Sequence, residues 1–412
     1  MSAYTGYLIR SERLNRNLSQ EGLAKGICAP SYLSKIEKGL VEPGREIIDR
    51  LFETLGVAFV RDEALMREAE RRLEAYFFYA DAGEPCSEAE AFFLEQGGRL
   101  ERSEFALSYA VYRLYRAAEK QAWEEAREAE KRLEPFFGCL NAPLRQRALI
   151  AQAKMEKNPE YAARLLEEAA ALLPSCVALY RRAECFYWLG QYGRSEELAG
   201  RAYALACEQG NPHIMIWSSY LLGSCACNRY DLREAQQQYE RARALTRGYR
   251  EDVTDYAAYN LGSTYLELGD AQRALGYLTA AREMEKDPWH NALLHQKLAI
   301  VHLEAGSREE AERHMERAKA CAEEIVHASE RELEMLGGML RFAQLFFDPQ
   351  CCELPEYEQV LTYLYDEAGQ ALGHGFRQFY GRYLMKLYKR QRRYKDALRV
   401  SEALGMDILS SK

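Results

Sequence analysis

Proline is scarce, at 11 residues in 412, and histidine scarcer still, at 7. Few prolines leave helices uninterrupted, because proline removes a backbone donor and crowds the preceding turn. No HExxH pair occurs, and GxSxG and GxxxxGK[ST] are missing too. The usual signatures of zinc hydrolysis, serine-nucleophile catalysis and nucleotide binding are absent, so neither an enzyme, a metal nor a cofactor is expected. Basic excess is lacking as well: 55 Lys and Arg stand against 63 Asp and Glu, for a net charge of -8. A chain coated in nucleic acid is excluded, although one small basic face is not. No apolar run reaches the roughly 18–20 residues that span a bilayer. The stretch up to Asn17, with Arg10, Arg13 and Arg16, lacks the apolar centre of a signal peptide. The 11 cysteines include no CxxC pair; Cys225 and Cys227 diverge on a helix, and adjacent Cys351 and Cys352 do not easily share a metal. Free thiols in a reducing cytoplasm, away from any membrane, are the expectation.

What is present favours helix throughout. Ala, Leu, Glu and Arg recur along the chain, and 48% of the residues are hydrophobic, enough for a large core and more than one domain. The segment from Tyr7 to Val57 reads as four or five short helices. Tyr7, Leu8, Ile9 and Leu14 make an apolar face opposite Arg10, Arg13 and Arg16. Ser19 is a good N-cap for a helix carrying Leu23 and Ala24, and Gly26 breaks it. A second helix starts at Ala29-Pro30-Ser31, with proline suited to its first turn, and runs to Gly39. Two short helices around a tight glycine turn form a helix-turn-helix pattern, which many small helical domains share.

The residues themselves are more specific. Leu18-Ser19-Gln20-Glu21-Gly22-Leu23-Ala24, then Ser31-Tyr32-Leu33-Ser34-Lys35-Ile36-Glu37-Lys38-Gly39 and Pro43, resemble the phage-repressor-like (XRE) DNA-binding family. The wording around Gly26-Ile27-Cys28 and Ser31 to Glu37 is similar to its peptide-pheromone branch, the RRNPP family, and within it to NprR-like members. The resemblance covers about one seventh of the chain. It implies that the second helix enters the major groove of double-stranded operator DNA, with Pro30, Ser31, Tyr32 and Lys35 exposed and Leu33 and Ile36 in the core. Gln20 sits where a side chain and free amides hold a phosphate. Arg10, Arg13 and Lys38 are candidate phosphate contacts, and Glu37 is expected to pair with an arginine of the first helix, Arg10 being the candidate. Seven Lys and Arg against four Asp and Glu from Arg10 to Arg45 make a weak basic patch, which calls for a dimer reading two half-sites.

Beyond Arg61 a pattern recurs. Its clearest copy has Gly262, Tyr265, Gly269, Ala274, Leu278 and Ala281, and it resembles the tetratricopeptide consensus. The small anchors Ala183, Gly223, Gly262 and Ala299 are 40, 39 and 37 residues apart. Weaker copies lie between Ser108 and Phe137, Leu144 and Pro174, and Glu330 and Asp366, with a last one near Tyr388. Most Ala, Gly and Tyr residues here are therefore core and spacing. The expected organisation is all-α: a DNA-binding head over residues 1–60, a linker helix over 61–80, and a right-handed superhelix of repeats over 81–412.

In this repeat the first helix of each pair lines the inner groove. That selects Tyr180, Glu184 and Tyr187; Trp217, Tyr220, Ser224 and Asn228; Tyr256, Tyr259, Asn260, Ser263 and Glu267; and Gln296. Tyrosines interleaved with Asn, Ser and Gln suit an extended peptide, the amides meeting its backbone and the rings its side chains. In the resembled family asparagines of these helices hold a short signalling peptide, which singles out Asn228 and Asn260. His295 and His302, seven apart, are expected to be packed histidines. The basic run Arg377, Arg382, Lys386, Lys389, Arg390, Arg392 and Arg393 is expected to be a solvated face. Function then divides between a peptide-controlled transcription regulator, acting as a homodimer, and a repeat-domain protein that docks a protein partner such as a phosphorelay component.

Overall fold

The computed structural model describes residues 2–246, 252–283, 287–326, 328–371 and 374–404. Among these no strand forms, a lone bridge joins Val60 to Ser103, and the all-α expectation holds. The first four helices are α1 (Ser2–Asn15), α2 (Gln20–Ala24), α3 (Pro30–Glu37) and α4 (Arg45–Leu55). Next come α5 (Glu63–Asp81), α6 (Ser87–Leu100), α7 (Ala106–Glu119), α8 (Trp123–Leu133), a 3-10 turn over Glu134–Cys139, α9 (Ala142–Met155), α10 (Pro159–Leu172) and α11 (Cys176–Trp188). The chain continues through α12 (Tyr192–Gln209), α13 (Pro212–Asn228), α14 (Leu232–Leu245), α15 (Asp252–Glu267), α16 (Ala271–Ala280), α17 (Pro288–Glu304) and α18 (Arg308–Glu323). It ends with α19 (Glu330–Leu345), a short turn over Cys351–Glu353, α20 (Pro355–Ala371), α21 (His374–Arg390) and α22 (Tyr394–Ala403). None of these helices is long and apolar enough to cross a membrane. Two compact units emerge, residues 1–182 with 204–214, and residues 183–203 with 215–412.

In the first unit, α1 to α4 close around Ile9, Leu23, Leu33, Ile36 and Leu51, all fully buried. Helix α1 crosses α3 so closely that a Cβ at Gly6 would stand 2.0 Å from the Ile36 carbonyl oxygen, so only glycine fits. The head also shares its core with later parts of the same unit: Ala106 of α7 belongs to the same cluster, and Tyr7 packs edge-on against Phe136 at 4.2 Å. The Val60 amide donates to the Arg102 carbonyl at 2.7 Å, which fastens the chain leaving α4. Helix α5 buries Leu65, Met66, Ala69, Leu73, Tyr76 and Phe77 and packs on α6. That apolar stripe makes it one arm of a helical hairpin. Its last residue, Asp81, takes a forked ion pair from Arg147 of α9, whose guanidinium lies 4.7 Å from the Phe77 ring centroid.

In the second unit the small anchors have the expected purpose. A Cβ at Gly223 would meet the Tyr239 ring at 2.6 Å, and one at Gly262 would meet Leu278 at 2.6 Å, so α13 and α14, and α15 and α16, approach as only glycine permits. Ala183 and Ala299 are fully buried at the equivalent places. Helix α17 departs from the usual amphipathic pattern. All twelve residues from His290 to Val301 are buried, polar ones included, and the unit's main hydrophobic cluster surrounds them. A helix covered on every face is central, not a wall of a groove open to water.

Candidate nucleic-acid and ligand interfaces

Local chemistry sets the geometry of the head. The Ser19 hydroxyl accepts from the Gly22 amide at 2.9 Å and starts α2. Pro30 opens α3, whose turns then bury Leu33 and Ile36 and leave Pro30, Ser31 and Lys35 exposed with Tyr32 half-buried. Lys38, just beyond, is exposed, and its carbonyl accepts from the Cys139 thiol at 3.7 Å. Glu37 is buried and joins three helices. Arg13 of α1 donates to both its oxygens, and Gln20 of α2 donates to Oε2 at 2.7 Å.

Two sequence expectations change here. Arg13, not Arg10, is the partner of Glu37, and a residue only 7% exposed with its charge already matched is not a phosphate contact. Its remaining Nη1 donates to the Leu18 carbonyl at 2.7 Å, which holds the turn before α2. Arg10 instead lies over the Phe136 ring at 5.3 Å and reaches the Pro135 carbonyl at 3.5 Å, so it fastens the head to the 3-10 turn. Gln20 keeps its place at the N-terminus of α2, with its amide nitrogen committed to Glu37.

Helices of the second unit carry the other group of candidate residues. Asn228 donates to the Tyr187 hydroxyl at 3.0 Å and accepts from the Tyr192 hydroxyl at 3.2 Å. The Asn260 amide nitrogen reaches the Tyr220 hydroxyl at 3.0 Å and the Ser224 and Tyr239 hydroxyls at 3.3 Å each. Trp217 stacks edge-on against Tyr220, and the Tyr256 hydroxyl donates to Asp287 at 2.6 Å. Glu184 and Ser263 are half-buried on α11 and α15. Tyr187, Trp217, Tyr220, Ser224, Asn228, Tyr256 and Asn260 are thus linked by a ladder of amides, hydroxyls and rings from α11 to α15. Three others are in different surroundings. Tyr180 is buried in the first unit, Tyr259 is buried beside His290 at 5.2 Å, and Gln296 is fully buried on α17, donating to the Met339 carbonyl at 3.3 Å. Gln296 and Tyr259 therefore belong to the interior, because α17 is enclosed.

Helix α21 is part of that enclosure. Gln378 donates to the Asn228 carbonyl at 3.3 Å, Arg382 to the Glu267 carbonyl at 3.4 Å, and Tyr383 to the Glu304 carboxylate at 3.4 Å. Those acceptors are the last residues of α13, α15 and α17. The Arg382 guanidinium also covers the Tyr230 ring at 4.2 Å, so the leading part of the basic run is packed, contrary to the expected solvated face. The Glu267 carboxyl is pushed up to about 7 by burial, against the pull of Arg382 and Lys297 and a hydrogen bond from Tyr230 at 3.1 Å. Lys297 and Gln378 were not singled out from sequence, and Tyr239 and Arg382 were read there only as a repeat position and as part of the basic run. The signal for Lys297 was its place in the run His290, Asn291, His295, Gln296, Lys297, too polar for a helix with so much apolar surface around it.

His295 and His302 both approach His314 of α18. His295 Nδ1 is 2.8 Å from His314 Nδ1, the His302 and His314 rings stack at 5.3 Å, and Glu283 closes on His295 Nε2 at 2.8 Å. Among the described residues no group of side chains is arranged to hold a metal ion.

A helix-turn-helix family model matches residues 9–60. The apo form of the quorum sensor NprR from B. thuringiensis superposes with a TM-score of 0.63 at 13% identity, over 82% of this chain and 98% of that one. NprR in complex with its cognate peptide NprX gives 0.61 at 13% identity, over 82% and 98%. A Rap protein complexed with competence and sporulation factor gives 0.54 at 18% identity, over 79% and 99%. No curated protein matches the chain in sequence. The chain therefore has a helix-turn-helix head and shares the helical-repeat fold of NprR and Rap proteins.

Proposed function

We propose that the chain is a transcription regulator of the RRNPP type that reads operator DNA as a homodimer and is controlled by a short signalling peptide on its repeats. The observation that carries this reading is the exposed N-terminal face of α3 in a head matched by a helix-turn-helix model, joined to a repeat fold like that of a peptide-bound quorum sensor. Pro30, Ser31, Tyr32 and Lys35 face base edges, and Gln20 and Lys38 face phosphates. In the second unit Asn228, Asn260 and the tyrosines around them exchange internal hydrogen bonds for bonds to peptide. The head is packed against α7 and the 3-10 turn, so a change in dimer contacts repositions it as a piece. A ligand achieves that only through different affinities for the two arrangements. Sizing of the full chain with and without peptide, together with mobility shift on a palindromic duplex, tests the proposal. A strict monomer that shifts no palindrome sinks it.

The likeness to a Rap protein favours a second reading, in which the repeats dock a protein partner such as a phosphorelay component and DNA binding is secondary. The Ser31→Ala, Lys35→Ala double variant separates the two. An unchanged cellular phenotype in that variant selects the docking role.

A further inference from the structure

Helix α17 buries a lysine amine that no hydrogen-bond acceptor meets. Lys297 is 1% exposed, and its Nζ has no hydrogen-bond partner among the described residues. Two rings of α21 cover it, with Nζ 2.7 Å from the Phe379 centroid and 5.4 Å from that of Tyr380. The Tyr259 hydroxyl is buried and unpartnered as well, and the Tyr380 hydroxyl and Gln296 Oε1, outside ordinary hydrogen-bond geometry, lie close to one another. Tyr380 is electrostatically coupled to Tyr259 and lies within hydrogen-bonding reach of Gln296, and Lys297 is coupled to Glu267, so these groups share one neighbourhood of α15, α17 and α21. Burial drives the Lys297 amine well below its ordinary pKa, and only Glu267 pulls the other way. Buried polar atoms in a folded protein are nearly always paired, so the Lys297 amine and the Tyr259 hydroxyl, unpartnered in one neighbourhood, need an explanation. Stability does not supply one, because an apolar side chain of similar size removes the desolvation cost.

A carboxylate supplies one. An ammonium and neighbouring phenols can each donate to one anion, their bonds strengthened by low local dielectric, while Gln296 Oε1 can accept an amide N–H. One ammonium matches the single charge of a carboxylate. The cover is held by polar contacts of 3.3–3.4 Å from Gln378, Arg382 and Tyr383, two of them to backbone carbonyls. We propose that Lys297, with Tyr259 and Tyr380, is an anchor for a carboxylate of the peptide ligand, uncovered when α21 lifts from the ends of α13, α15 and α17. The proposal rests on the peptide reading above and adds the charge class of the ligand and the place of one contact. The carboxylate is either the peptide's C-terminus or an Asp or Glu side chain. Because burial favours the neutral amine, seating the carboxylate beside Nζ draws one proton from solvent onto the lysine.

The test uses the full chain and three pools of random heptapeptides: free acids, C-terminal amides, and free acids without Asp or Glu. Peptides that co-migrate with protein on a sizing column are identified by mass spectrometry. The wild type is expected to retain peptides, and Lys297→Met to bind them at least about tenfold more weakly, a loss of roughly 1.4 kcal/mol. Lys297→Met should melt at the same temperature or higher, and Tyr380→Phe, which removes one hydroxyl, should weaken retention less. Loss with the amide pool assigns the C-terminal carboxylate, and loss with the pool lacking acids assigns a side chain. For one retained peptide, binding enthalpies in buffers of different ionisation enthalpy should reveal proton uptake in the wild type that Lys297→Met lacks. Equal affinity in wild type and Lys297→Met overturns the anchor and leaves the peptide reading standing. Failure of the wild type to retain any peptide overturns both.

Discussion

Arg13 donates to both carboxylate oxygens of Glu37, through Nε at 2.6 Å and Nη2 at 3.0 Å, inside the core of the head. Side-chain exposures of 9% and 2% put the pair where losing one partner strands the other charge. Glu37→Ala should therefore cost about 3–5 kcal/mol, the range for breaking a buried pair. Hydrogen exchange over α1 to α4 checks it, and unchanged protection there would remove Glu37 from its place as the head's junction.

The reading face should behave in the opposite way. Ser31 and Lys35 are exposed, so their alanine variants should shift stability by no more than about 0.5 kcal/mol. Lys35→Ala should also lower the salt dependence of binding by about one counterion if it meets a phosphate, or relax specificity at one base if it meets an edge. Titration against a duplex selected by the wild type from a random-sequence pool distinguishes these. Full affinity in the double variant contradicts the placement of α3 in the groove.

Gly223→Ala and Gly262→Ala should each destabilise the second unit by roughly 1–3 kcal/mol through overpacking. The added methyl would stand 2.6 Å from the Tyr239 ring in one case and 2.6 Å from Leu278 in the other. Gly210→Ala meets no such contact, although its left-handed φ of 65° adds a backbone penalty of its own. Gly276→Ala, with open space and no positive φ, is the clean control. Thermal melts of the four variants should rank Gly276→Ala least harmful.

Acidification should weaken the pairing of α17 with α18. His314 is pushed down to about 4, first by burial and then by His295 and His302 across from it, with Arg313 in the same sense and Glu310 opposing. A folded value below the unfolded value near 6.5 means that the contribution is complete above pH 6.5 and lost as pH falls towards 4. Glu283, held down to about 2 chiefly by Arg317, adds a loss of the same sign below 4.5. Glu267 runs the other way: raised to about 7 from 4.5, it favours the fold below pH 4.5, and that contribution is lost as pH rises through about 7. Only the difference between variant and wild type therefore isolates the histidine. His314→Gln should flatten the fall in melting temperature between pH 6.5 and 4, and a parallel curve would exclude His314 as its source.

Much of the molecule was legible from local rules. Ser19, Pro30 and Gly39 bound the two helices of the head, and the anchors at Ala183, Gly223, Gly262 and Ala299 sit where small residues let helices touch. The identity of Glu37's partner was not legible. Arg10 and Arg13 are three apart on α1, hence neighbours on its surface, and the choice between them depends on the angle at which α1 crosses α3, which Gly6 sets. The inner face was legible as a list of tyrosines and amides, but not as a network already satisfied by itself, because Asn260 finds Tyr239 on a different helix. Lys297 was hidden for a related reason. Helical periodicity assigns a lysine to the outside, and only the arrival of α21, eighty or so residues later, leaves α17 without an outside.

Helix α21 also alters what kind of object the repeats are. A stack in which each hairpin touches only its neighbours behaves as a one-dimensional chain, fraying from its ends and losing units one at a time. Here α21 reaches back to residues ending α13, α15 and α17, so the terminal hairpin is tied to units far earlier in the order. Those long-range ties convert sequential melting into a shared transition. The C-terminal end of the array then acts as a keystone whose removal loosens several repeats at once.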